Sequence, residues 1–319
     1  MSVSHSNLMR LLVTQRTVIS RDVVEIDFTR PESAPLPEVS PGAHLLVHLS
    51  PDMSRQYSLC NGPTERDSLR IAVKHQAGGR GGSAAMHQLA VGDSVLAEFP
   101  RNAFALEAAA HTVLFAAGIG ITPIVSMVKS LAAAKKPYTL FYSARDEEHA
   151  PYLDLLRLPP YASNVHLHFS ARDGRIDVAS ALRALPRDSR LYTCGPAAFM
   201  KEILDEAQRL GWPADRLHRE YFSADVLAQT GPSFKIVLAK TRRELVVGAN
   251  ESVVTACRRE GCEIPTSCEQ GVCGTCLVMV LAGEPDHRDL YLTDEEKNGN
   301  KMMLACCSRA RSAELVLDL

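Results

Sequence analysis

Four of the nine cysteines stand where they could do chemistry together. Cys268, Cys273 and Cys276 follow a C-x4-C-x2-C pattern, and Cys306 comes after twenty-nine intervening residues. Three thiolates on one tight loop, with a fourth from a distant turn, are the ligand set of a plant-type [2Fe–2S] cluster. Gly271 and Gly274 let the backbone turn closely past the sulfides. A structural zinc would ordinarily pair two short Cys-x2–4-Cys knuckles, and only one is present. Disulfides suit an oxidising compartment, and the polar start Met1–Asn7 has no secretory pattern, so a cytoplasmic, reducing location is expected. Cys60, Cys257, Cys262 and Cys307 have no ligand spacing and read as small buried hydrophobes.

Two further motifs lie toward the N-terminus. Arg55-Gln56-Tyr57-Ser58-Leu59 combines a forked cation for a phosphate, a flat ring for a flavin, and a small hydroxyl able to reach a ring nitrogen. Gly78-Gly79-Arg80-Gly81-Gly82-Ser83 precedes a helix start, where backbone amides freed of side chains make an anion pocket. Each has a bland reading, a strand with a surface arginine and a flexible loop, and the two together outweigh either. A third motif, Gly118-Ile-Gly120-Ile-Thr122-Pro123, follows the apolar run Thr112–Ala117. Strand, glycine turn and helix present amides to a pyrophosphate, and Pro123 in the first turn does not harm the helix. Cys194-Gly195-Pro196 ends a second buried run, at the strand edge where open α/β sheets bind ligands.

The elements that must position these residues change along the chain. From Leu8 to about Leu106, short alternating runs bounded by Pro, Gly, Asp and Ser predict an antiparallel barrel. From His111, continuous apolar strands alternate with helices expected near 124–135, 152–158, 178–184 and 197–210, which is a parallel α/β sheet. Residues 223–233 read as a linker. A hairpin-like pair, a helix capped by Ser252 and strands around the cysteine loop complete the chain. The domains expected are 1–107, 108–226 and 227–319. Hydrophobic content of 46% is ordinary for a globular protein, and a net charge of −2 gives no footprint for nucleic acid. No apolar run is long enough to span a membrane. The acidic stretch 284–296 reads as a solvated face, with docking to a basic partner as the sharper alternative.

The motifs in this order resemble the phthalate dioxygenase reductase type of flavin reductase, to which vanillate demethylase reductases are similar. These belong to the ferredoxin–NADP reductase superfamily and place the ferredoxin domain last. The resemblance covers the whole chain and implies a β-barrel flavin domain, an α/β nucleotide domain and an α+β, β-grasp ferredoxin domain. It implies FMN held by Arg55, Gln56, Arg80, Gly81, Gly82 and Ser83, with Tyr57, Ser58, Ala72, Val73 and Lys74 along the ring and Thr122 touching it from the nucleotide domain. Ser58, Thr122 and Cys194 are the candidate catalytic residues. Phe222 matches an aromatic that covers the flavin, although Tyr221 replaces a residue that is often Ser. Gly118, Gly120 and Pro123 would approach the pyrophosphate, and Cys194, Gly195 and Pro196 would border the nicotinamide. Asp146 favours the 2′-hydroxyl of NADH while Arg145 argues for a 2′-phosphate, and the balance is read as NADH. The implied activity passes hydride from NADH to FMN and single electrons through [2Fe–2S] to a Rieske-type oxygenase acting on an aromatic acid. A redox sensor or carrier, and a reductase for a cytochrome P450, are the alternatives.

Overall fold

The structure is a computed structural model that describes residues 8–31, 34–50, 53–79, 81–222, 231–266 and 268–319. The chain divides into two compact units, the first ending at Glu220 and the second beginning at Tyr221.

Alternation of side chains builds the first half of the first unit. In β1 (Leu8–Ser20), Met9, Leu11 and Val13 are buried while Arg10 and Thr14 face solvent. With β2 (Val23–Thr29), β3 (His44–Ser50), β4 (Met53–Ser58), β5 (Leu69–Lys74) and β6 (Ser94–Glu98), it forms an antiparallel sheet in the order β4-β3-β6-β1-β2-β5. A bridge between Leu59 and Ile71 joins the two edges, so the sheet closes into a barrel around Leu11, Ile26, Phe28, Leu45 and Ile71. Irregularities at Val13/Gln15 and Val18/Ser20 give β1 the bend that closure needs. Helix α1 (Gly82–Gln88) adds Met86 to this core.

The second half is a parallel sheet of β7 (Thr112–Ala117), β8 (Tyr138–Ala144), β9 (Val165–Phe169), β10 (Arg190–Cys194) and β11 (Leu217–Glu220), ordered β11-β10-β7-β8-β9. Its central strands β7 and β10 are buried on both faces because helices cover both. Helix α2 (Ile121–Ala133) sets Ile124, Val125 and Val128 against Leu114 and Leu140, while α3 (Ala197–Arg209) sets Ile203 and Leu204 against Val113, Phe115 and Leu191. The chain runs from β7 to β8 and β9, then crosses back to place β10 and β11 on the other side. Strand order therefore reverses between β7 and β10, the point at which such sheets bind ligands.

Barrel and sheet are tied by buried polar contacts. Lys129 on α2 donates to both carboxylate oxygens of Glu65, at 2.7 and 3.0 Å, and to Cys60 O at 3.1 Å. Ser126 donates to Asn61 O at 2.6 Å. The Lys129 ammonium is almost wholly removed from water, so without Glu65 it would be a buried, uncompensated charge.

The second unit carries β12 (Phe234–Leu238), β13 (Arg243–Val247), α4 (Val253–Arg259), β14 (Leu277–Ala282), β15 (Pro285–Asp286), β16 (Met302–Leu304), β17 (Arg309–Ala310) and β18 (Glu314–Leu317). The mixed sheet β13-β12-β18-β14-β16 packs on α4, as in a β-grasp domain. Ser252 caps α4 as its sequence predicts, its hydroxyl accepting from Thr255 N at 3.0 Å.

Some expectations change. Strands β6 and β11 are additions, α2 begins at Ile121 rather than 124, and the helix expected over 152–158 shrinks to Leu153–Leu156. The acidic stretch is not uniformly solvated. Asp289 is buried, and its carboxylate accepts from Leu292 N at 2.8 Å and Tyr291 N at 3.2 Å, so it shapes the turn that leads back toward Cys306. Residues 223–230 of the expected linker lie outside the described residues. Among the described residues, no helix is long and apolar enough to cross a membrane.

Candidate flavin, nucleotide and iron–sulfur sites

The first unit brings two sequence motifs together on the barrel. Arg55 on β4 lies across the start of α1, where a β-carbon on Gly82 would stand 2.7 Å from Arg55 Cγ and 2.8 Å from Nε. Glycine is thus required for the arginine to lie close to helix-start amides. Gly81, at φ +81°, turns the chain into that helix, and Ser83 Oγ accepts from Gln76 N at 3.1 Å. Arg80 lies outside the described residues. Gln56 and Tyr57 continue β4, and burial raises the Tyr57 phenol above its ordinary pKa. Ala72, Val73 and Lys74 end β5; Ala72 joins the core that contains Ala116 and Cys194, and Lys74 is exposed.

At the reversal of strand order, β7 and β10 deliver their C-terminal turns side by side. A β-carbon on Gly120 would lie 2.3 Å from Cys194 O, so the glycine turn rests directly on the Cys194–Gly195 backbone. Gly195 is equally confined, with Ala117 Cβ at 2.9 Å. Gly118, at φ +53°, has open space around it. Pro123 is buried in the first turn of α2, and Pro196 precedes α3. Thr122 is buried and its hydroxyl donates to Ile119 O at 3.1 Å, so that group holds its own turn.

Sequence reasoning missed one member of this site. Glu220 ends β11 in register with Cys194, and Ser58 Oγ, 162 residues away in sequence, donates to its Oε2 at 3.3 Å. Burial moves the Glu220 carboxyl from an ordinary 4.5 to about 8, against the lowering effect of the Ser58 hydroxyl. The Cys194 thiol is pushed up by burial and by Glu220, so it stays protonated. Ser58 and Glu220 are hydrogen-bonded, and Cys194 lies beside Glu220 on the neighbouring strand, where barrel and sheet meet. Strand register is what shows the residues that Glu220 faces.

The sign of the resulting pH dependence follows from linkage. Between about pH 4.5 and 8 the unfolded chain has released the Glu220 proton that the folded chain keeps, so this group lowers stability as pH rises. Glu220 is partly open to solvent, so the effect is expected to be a few kcal/mol, about 2–4. In thermal unfolding, Glu220→Gln should gain on the parent as pH rises from 5 to 8. Parallel pH curves for the two proteins would contradict it.

After β8, Asp146 Oδ1 accepts from His149 N at 3.1 Å and meets His149 Nδ1 at 2.5 Å, which holds its carboxyl below the ordinary range. Arg145 Nε stands 3.8 Å from Asp146 Oδ2, so the two candidate ribose readers form an ion pair. Phe222 belongs to the second unit and its ring is exposed.

In the second unit the four cysteines stand as two thiol pairs, Cys268 with Cys273 and Cys276 with Cys306. Among the described residues, no three Cys, His, Asp or Glu side chains converge on a point suited to a single ion. Two pairs are what a two-iron cluster takes, one for each iron, whereas a tetrahedral zinc needs all four around one centre. Backbone amides already face these sulfurs: Gln270 N donates to Cys268 Sγ at 3.3 Å, and the Gly271 amide is directed at Cys306. Hydrogen bonding from Cys268 draws the Cys273 thiol below its ordinary pKa. Gly274, at φ +75°, lies under Tyr291, whose ring carbon would be 2.3 Å from a β-carbon there. The residues fit a [2Fe–2S] cluster.

Comparison with known proteins agrees with this geometry. Residues 10–106 match the oxidoreductase FAD-binding domain family, and residues 236–311 match the 2Fe-2S iron-sulfur cluster binding domain family. The chain is 41% identical over 318 residues to the vanillate O-demethylase oxidoreductase of Pseudomonas sp. (strain HR199 / DSM 7063), covering 98% of this chain and 100% of the relative. Among solved structures, it is similar to a phthalate dioxygenase reductase with a TM-score of 0.84 and 36% identity, over 98% of both chains. It also matches an intact type IV self-sufficient cytochrome P450 monooxygenase with a TM-score of 0.74 and 34% identity, over 98% of this chain and 41% of that one.

Proposed function

The chain belongs to the phthalate dioxygenase reductase family of flavin and [2Fe–2S] oxidoreductases, and from that premise we propose that it is the NADH-dependent reductase component of a Rieske-type aromatic oxygenase. The observation that carries this reading is the presence, in one chain, of the Ser58–Glu220 hydrogen bond beside Cys194 at the sheet's reversal point and of two thiol pairs suited to two irons. When bound, the flavin and cluster supply the conversion of a hydride into single electrons.

The protein's residues bind and orient. Arg55 and the amides at Gly81–Ser83 would hold the flavin's phosphate, which by resemblance to the family is that of FMN. The Ser58 hydroxyl would face the flavin ring, and Glu220, neutral below about pH 8, would keep a proton beside it without adding a negative charge there. The Cys194 turn shapes the nicotinamide side, and the close fit of Gly120 on it brings the pyrophosphate turn and the nicotinamide turn together. Asp146, oriented by His149, accepts from a ribose 2′-hydroxyl, and its pairing with Arg145 leaves that cation poorly placed to take a 2′-phosphate. Amides of Gln270 and Gly271 stabilise added charge on the sulfurs.

The test is a visible spectrum of purified protein before and after anaerobic NADH, with the released flavin identified. Flavin and cluster bands both bleached by NADH, with FMN released, are expected. Zinc without iron, or a flavin that NADH does not bleach, would overturn the reading. A second acceptor class is favoured by one observation, the occurrence of a similar module within a cytochrome P450 monooxygenase chain. Electron delivery to a purified Rieske oxygenase but not to a P450 haem domain separates the two.

A further inference from the structure

The cluster-binding unit holds another thiol pair that electron transfer does not use. Helix α4 ends in a Schellman turn: Gly261 adopts φ +74°, its amide bonds to Arg258 O at 3.0 Å, and Cys262 N donates to Cys257 O at 2.9 Å. Such a turn folds the residue after the glycine back onto the residue five positions earlier, where an apolar contact is usual. Here the two residues are cysteines, and their thiols abut. With that hydrogen bond at 2.9 Å, the two α-carbons can be no more than about 6.8 Å apart, within the span that disulfides bridge. Cys257 is fully buried, whereas Cys262 is partly open to solvent between the exposed Gly261 and Glu263.

We propose that Cys257 and Cys262 are a redox-active dithiol that a hydroperoxide converts to a disulfide. The Cys262 sulfur attacks one oxygen of hydrogen peroxide; the O–O bond breaks, giving a sulfenic acid and one water. The Cys257 sulfur then attacks the sulfenic sulfur; the S–S bond forms and a second water leaves, carrying away the remaining thiol proton. The peroxide is reduced by two electrons, one from each sulfur. Burial keeps the Cys257 sulfur from oxidant in solution, so Cys262 meets the peroxide first and Cys257, held against it by the turn, is the thiol in place to resolve it. Hydrogen peroxide forms wherever a reduced flavin meets dioxygen, so the oxidant belongs to the chemistry of flavin reductases. The bond would pin the end of α4 to the segment that runs into Cys268, six residues beyond Cys262.

The test exposes the holoprotein to hydrogen peroxide, quenches in acid, alkylates, and digests with trypsin, which cuts after Arg258 and Arg259 and so separates the two cysteines. The expected product is a pair of peptides joined between Cys257 and Cys262, located by fragmentation and released by reductant. Cys262→Ser should leave Cys257 fully alkylatable. Should that variant misfold, Cys257→Ala gives the same reading, because the sulfenic acid on Cys262 then persists and is trapped by dimedone. Recovery of Cys262 as a sulfinic or sulfonic acid beside an alkylatable Cys257 would overturn the proposal. So would bonds from Cys257 only to cluster cysteines, or both thiols intact after the cluster has bleached.

Discussion

Cys276→Ser should leave NADH-driven flavin bleaching at the parental rate and remove the cluster absorbance, with single-electron delivery to a haem acceptor falling by about 100-fold or more. The size follows from what surrounds the residue. Cys276 and Cys306 are a buried pair, each about 1–2% exposed, so no water or neighbouring carboxylate can replace the missing thiolate. A serine hydroxyl is shorter and stays protonated, and changes only to groups supporting ligands already cost 10–100-fold, so loss of a ligand itself belongs at or beyond the top of that range. Flavin reduction is spared because the Ser58–Glu220 cluster lies in the other compact unit, with its own cores. Stopped-flow bleaching and acceptor reduction on one preparation check both halves. Parental electron delivery from a variant shown to lack iron would remove these cysteines from the path.

Gly120→Ala should destabilise the first unit by about 3 kcal/mol or more, lowering its melting temperature by roughly 6–12 °C and loosening nucleotide binding. The added carbon would meet Cys194 O at 2.3 Å, Cys194 C at 2.5 Å and Gly195 N at 2.7 Å, all of them backbone. No rotamer relieves such a contact. Either the end of β10 moves away from β7, breaking the parallel pairing at Cys194 and Ala116, or the glycine turn lifts away from the sheet. Gly118→Ala is the control. Nothing lies within 4 Å of its β-carbon, and only its φ of +53° is unfavourable, so about 1–2 kcal/mol is expected. Calorimetry on the two variants checks the order; equal melting temperatures would mean that the Gly120 turn is free to shift.

These two variants also mark how far the sequence could be read. Cysteine spacing located the cluster ligands, since four positions had to agree, but not their division into pairs, which depends on the fold around Gly271 and Tyr291. The run Thr112–Ala117 followed by glycines located a buried strand and the turn that ends it, because a strand buried on both faces is apolar throughout. That Gly120 is there for the sake of Cys194 depends on β7 and β10 being neighbours, and adjacency between strands so far apart leaves no local trace. Glu220 was hidden for the same reason, its partner lying 162 residues away. Strands β6 and β11 are short and partly polar, so their alternation is too brief to stand out. Cys257 and Cys262 read as small buried hydrophobes, and their contact emerges only from the turn at Gly261 that folds one back onto the other.

Glu220 is the last residue of the first unit, and Tyr221 already belongs to the second. The carboxyl at the end of β11 is therefore encoded at the very boundary of the module that handles hydride. A gene fusion or crossover upstream of that codon would take away both the edge strand and the proton held beside Ser58. One placed between Glu220 and Phe234 would leave barrel, sheet and carboxyl intact and exchange only the one-electron module. A crossover that keeps the contact with Ser58 must therefore fall after Glu220, so its upstream limit is set by one side chain and not by a loop.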